Sequence, residues 1–111
     1  MARFILVLTT CDSKNAAAKI ARSLVESRAA ACVNIVTVPV ESIYRWKGRI
    51  ESAKEFLLVI KSTQSRFAAV RREIERLHSY EVPEIIAMPI SSGSRKYLRW
   101  LEESVSKKPR R

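Results

Sequence analysis

Two runs of five residues, Phe4-Ile5-Leu6-Val7-Leu8 and Phe56-Leu57-Leu58-Val59-Ile60, are apolar at every position. A strand with one wet face alternates apolar and polar residues, so unbroken runs of this length read as strands buried on both sides. With 111 residues the chain is a single domain. Both runs therefore belong at the centre of one sheet, and the other elements must cover its two faces.

Arg3 to Thr10 is read as the first strand, and Asp12 or Ser13 as the cap of a helix reaching about Arg28. Ala17, Ile20, Ala21, Leu24 and Val25 give that helix one apolar stripe. Cys32 to Trp46 is a long extended segment, interrupted at Pro39, where a bulge or an unpaired edge is expected. Gly48 marks a turn into a second long strand, and Thr63 or Ser65 caps the next helix, with its stripe at Phe67, Val70, Ile74 and Leu77. A tight segment, His78 to Glu84, leads to a last strand, Ile85 to Ile90, in which Met88 reads as core. After a turn at 91–94, a terminal helix carries Leu98, Leu101 and Val105 on one side.

The order is β-α-β-β-α-β plus a helix. Right-handed crossovers place both connecting helices on one face of an antiparallel sheet with spatial order 4-1-3-2. The fold class is thus α+β and ferredoxin-like, with residues 1–106 as the domain and 107–111 as a basic tail. Such an architecture says little about function. Two misfits say more. The crossover helices cover one sheet face, leaving the apolar second faces of the central strands open. The middle hairpin also overhangs the sheet by roughly 20 Å at the rise of a strand, and an isolated overhang is marginal in water. Neighbouring subunits packed on the open face and paired with the hairpin remove both problems, so an oligomer is expected.

Charge is the next constraint. The net charge is +10, but Lys107, Lys108, Arg110 and Arg111 hold four of those charges, and elsewhere bases alternate with glutamates. That patterning describes a solvated surface and argues against a nucleic-acid groove. No apolar run approaches the length of a bilayer span, so no membrane partner is expected. Two cysteines, Cys11 and Cys32, are too few for a disulfide scaffold, and a cytoplasmic setting follows as an expectation. One Asp, one His and no phosphate-gripping glycine loop argue against an enzyme.

Three segments are more specific: Ala31-Cys32-Val33-Asn34-Ile35, Ser42-Ile43-Tyr44-Arg45-Trp46-Lys47-Gly48-Arg49-Ile50, and Tyr80-Glu81-Val82-Pro83-Glu84-Ile85-Ile86. Together they strongly resemble the CutA divalent-cation tolerance family, in register from Arg3 to about Trp100. The resemblance implies a compact homotrimer of ferredoxin-like subunits and a link to tolerance of copper and other divalent ions. One departure is visible: the family usually has His-Pro-Tyr-Glu where this chain reads His78-Ser79-Tyr80-Glu81.

The topology brings Cys11, His78, Glu81 and Glu84 to one end of the subunit and Cys32 to the other, so no intrachain disulfide is expected. Thiolate and imidazole suit copper, and the candidate metal set is Cys11, His78, Glu81 and Glu84. Against it, His78 at a helix end can serve the helix dipole, and Cys32 reads as a packed apolar residue. Tyr44 and Trp46 alternate onto one face of the hairpin. With Lys47 and Tyr80 they are assigned to intersubunit packing or a cleft. Two alternatives stay open. One is a sensor resembling the trimeric PII signalling proteins, with an anionic effector held by Arg45, Lys47, Glu51, Tyr80 and Glu84; the other is a purely structural assembly or anchoring module.

Overall fold

The computed structural model describes residues 4–106. The described elements are β1 (Phe4–Cys11), α1 (Lys14–Glu26), β2 (Cys32–Ile35), β3 (Val40–Trp46), β4 (Arg49–Thr63), a 3-10 turn (Gln64–Arg66), α2 (Phe67–Leu77), β5 (Ile86–Pro89) and α3 (Arg95–Ser104). The sheet runs β2-β4-β1-β5 with every pairing antiparallel, and β3 pairs with the free arm of β4. This is the expected ferredoxin-like order. The tail at 107–111 lies outside the described residues.

The doubly apolar runs sit where burial demands. Ile5 and Val7 of β1 and Leu58 and Ile60 of β4 face the helices, packing with Ala17, Ile20 and Leu24 of α1 and Val70 and Ile74 of α2. The opposite face carries Leu6, Leu8, Leu57 and Val59, all half-buried, and Ile86 and Met88, which are 50% and 41% exposed. Met88 is therefore not core in the single chain. The terminal helix covers one end of this face: Leu101 and Val105 close over Phe4 and Ala31.

Pro39 shapes the hairpin. The long segment Cys32–Trp46 divides into two strands, because residues 36–39 stand opposite just Phe56 and Leu57. Pro39 has no N–H to give the ladder, and the bulge takes it out of register. Beyond the bulge, Val40–Trp46 pairs with Arg49–Glu55. That arm is seven residues past the end of β1, about 23 Å at the usual strand rise. It accounts for the 50 Å long axis of a body otherwise 26 × 24 Å. Lys47 and Gly48 close the hairpin with φ of 52° and 78°, the paired left-handed conformation of a type I′ turn.

Local chemistry sets the helix ends. Ser13 caps α1, its hydroxyl accepting from the Ala16 N–H; the helix ends at Glu26, earlier than expected. Neither Thr63 nor Ser65 caps α2. Their hydroxyls pair with each other across 3.2 Å, and a 3-10 turn leads into the helix. Ser94 caps α3 by accepting from the Tyr97 N–H.

Candidate functional site

A cleft of about 620 Å³ opens beneath the overhanging arm. The upper end of β1 contributes Thr10, β3 contributes Ser42, Ile43, Tyr44 and Trp46, β4 contributes Glu55, and the loop before β5 contributes Tyr80, Glu81, Val82 and Glu84. Strand register explains why. Ser42, Tyr44 and Trp46 alternate onto the face that also carries Glu51, Ala53 and Glu55. Continuing down β4, the same face carries Leu57 and Val59, so the cleft is continuous with the open apolar face of the sheet.

Glu55 is the floor of this cleft and is 7% exposed. Its Oε2 accepts from the Tyr80 hydroxyl at 2.7 Å and from the Thr10 hydroxyl at 3.3 Å. Burial pushes the Tyr80 phenol well above its ordinary range. The bond to Glu55 and the charges of Glu55, Asp12 and Tyr44 push it the same way. Tyr80 therefore stays a proton donor at any physiological pH.

His78 positions Tyr80. Nδ1 accepts from the Tyr80 N–H at 3.1 Å, and Nε2 lies 2.7 Å from the Thr10 carbonyl. A carbonyl can only accept, so the proton sits on Nε2 and the tautomer is fixed. The rings of His78 and Tyr80 meet at 4.5 Å. Histidine thus ties the α2 end to β1, using both of its nitrogens on backbone groups. That role goes beyond the dipole interaction expected for it.

The four metal candidates fare differently. Cys11 and His78 do meet at one end, since His78 binds the carbonyl of the residue before Cys11. Cys11 points to the helix side, fully buried, opposite Phe56. Burial, then the charges of Asp12 and Glu55, push its thiol up to about 11. Glu81 and Glu84 are exposed on the cleft rim. Among the described residues no three His, Cys, Asp or Glu side chains gather closely enough to hold a metal ion.

Of the residues assigned to an interface or cleft, Tyr44, Trp46 and Tyr80 line this one, and Lys47 does not. Its ammonium lies 5.9 Å from the Trp46 ring. Arg45 and Glu51 are also outside the lining. Both cysteines are free. Cys32 is half-buried, its Sγ 3.9 Å from the Lys61 amine, which also binds Asn34, so its surroundings are more polar than expected. Sequence reasoning missed Glu55, Thr10 and Ser42. The available signal was register: Glu55 lies two residues before Leu57 and shares its face, an acid at the entrance to an apolar strand.

Comparison with known proteins agrees with the architecture. The family model described as CutA1 divalent ion tolerance protein matches residues 5–104. The divalent-cation tolerance protein CutA of Thermus thermophilus is 48% identical over 99 residues, 89% of this chain and 95% of the relative. The chloroplastic protein CutA of Arabidopsis thaliana is 45% identical over 90% of this chain, which spans 54% of that longer relative. The solved structure of the Thermus thermophilus protein superposes with a TM-score of 0.88 at 46% identity, covering 91% of this chain and 97% of that one. The chain belongs to the CutA1 divalent ion tolerance family.

Proposed function

We propose that this protein is a cytoplasmic homotrimer that takes part in divalent-cation tolerance, with copper as its ion, and that it catalyses no reaction. The observation that carries the metal reading is the convergence of one thiol and the chain's single imidazole at Thr10. The imidazole of His78 is bonded to the Thr10 carbonyl, and Cys11 is the next residue. Both must be freed before they coordinate, the ring from its backbone partners and the thiol from its proton. Binding is therefore modest and transient, with Glu81 or Glu84 of a neighbouring subunit completing the set, since the described residues of one chain gather no three such donors.

The absence of catalysis is supported by the same bonds. A histidine with both nitrogens engaged is no general base, and a buried thiol pushed up to about 11 is a poor nucleophile. The trimer is supported by the apolar face of Leu6, Leu8, Leu57, Val59, Ile86 and Met88, which α3 leaves partly uncovered, and by the unsupported arm. The reading of an anionic effector loses support, because the cleft is lined by Glu55, Glu81 and Glu84 and by no lysine or arginine.

Copper titration of Cys11→Ser and His78→Ala beside the parent protein tests the metal site. Weakened binding in both is expected. Unchanged stoichiometry and affinity in both overturns it.

A further inference from the structure

We propose that the cleft under the hairpin arm binds a small organic cation, an alkyl ammonium seated on Oε1 of Glu55. This goes beyond the metal reading and rests on Glu55, which that reading does not use. Glu55 is more than nine-tenths buried, yet it has no ion-pair partner among the described residues. Both of its hydrogen bonds end on Oε2, leaving Oε1 without one. Oε1 is also not sealed away: among the described residues the fully enclosed side-chain atom without a partner is Thr9 Oγ1, and Glu55 lines the cleft. A carboxylate taken out of water with no counter-charge is costly, and a cation arriving at its free oxygen recovers that cost.

The surroundings select the kind of cation. In a chain of net charge +10, the lining holds three carboxylates and no basic side chain. Lys54 points to the opposite face of β4, and Lys61 on the same face is held by Asn34. A hard divalent ion wants six or more oxygens in a tight shell, which the described residues do not gather. An ammonium needs less: one charged acceptor, neighbouring hydroxyls and aromatic faces. Glu55, Ser42, Tyr44 and Tyr80 supply these. Glu81 and Glu84 on the rim provide a second charge, which favours a diamine over a monoamine.

The test uses the full chain with Trp100→Phe, a change on α3 away from the cleft that leaves Trp46 as the sole tryptophan. Titration with 1,4-diaminobutane, followed by Trp46 fluorescence and calorimetry, is expected to saturate, while 1-butanol gives no response. Glu55→Gln is expected to weaken binding about ten-fold or more, the usual cost of losing a charge-assisted hydrogen bond. As a second variant independent of Glu55, Ser42→Lys places a tethered ammonium in the cleft. It is expected to abolish diamine binding and to raise the melting temperature. Absence of saturable binding to the assembled protein means that a neighbouring copy fills the cleft, and overturns the proposal. Equal binding by Glu55→Gln overturns it, as does a magnesium titration that gives the same Glu55-dependent response more tightly than the diamine.

Discussion

Tyr80 and Glu55 stand 25 positions apart and meet at 2.7 Å, phenol to carboxylate, at the point where the hairpin arm leaves the sheet. The bond joins the loop before β5 to the arm of β4, and His78 holds the donor in place from behind. Removing the hydroxyl leaves Oε2 with Thr10 alone. Tyr80→Phe is expected to destabilise the fold by about 1 kcal/mol in urea unfolding. It should also speed hydrogen exchange in residues 78–85 relative to the helices. An unchanged unfolding midpoint would show that the bond contributes nothing.

Thr9 offers the opposite case. Its hydroxyl is fully buried on the helix side of β1 and has no partner. Thr9→Val keeps the shape and removes the orphaned group, and it should stabilise the protein by about 1 kcal/mol. Urea unfolding reads this directly; a loss of stability would mean that the hydroxyl is satisfied in solution.

The second helix carries a pH-dependent contact. Arg76 and then Ser23 donate to Glu73 and hold its carboxyl down to about 2, from an ordinary value of 4.5. A carboxyl lowered by folding contributes stability above its ordinary value, and that contribution fades as pH falls toward 2. Arg76 is mostly exposed, so solvent screening keeps the contribution small. Melting temperatures of the parent should therefore fall between pH 4.5 and 2 by slightly more than those of Glu73→Gln; parallel curves would contradict the assignment.

Cys11 should resist alkylation. Its thiol is enclosed and stays protonated up to about pH 11. Iodoacetamide at pH 8 is expected to leave Cys11 unmodified in the folded protein and to modify it in urea, as mass spectrometry of the peptides would show. Rapid labelling of the native chain would mean that the end of β1 opens.

The fold was legible because its determinants are local and periodic. Apolar runs marked the central strands, Lys47-Gly48 marked the turn, and the stripe of α1 marked its buried face. Boundaries set by side-chain competition were not. Thr63 and Ser65 look like caps, yet their hydroxyls pair with each other, whereas Pro39 interrupts its long segment where a bulge was expected. Met88 reads as core by hydropathy and lies on the face that one chain leaves open. Alternation put Tyr44 and Trp46 on one face of the hairpin, and an analogy with another trimeric fold put Tyr80 in a cleft; all three line the cleft seen here. Glu55 was hidden, because its burial depends on a tyrosine 25 residues away.

The proposed assembly would cover the open sheet face and the free arm with neighbouring copies. Sedimentation equilibrium at micromolar concentration tests this most directly. A species of three times the 12.7 kDa chain mass is predicted, weakened by Trp46→Ala on the arm. A 12.7 kDa species under those conditions would contradict it.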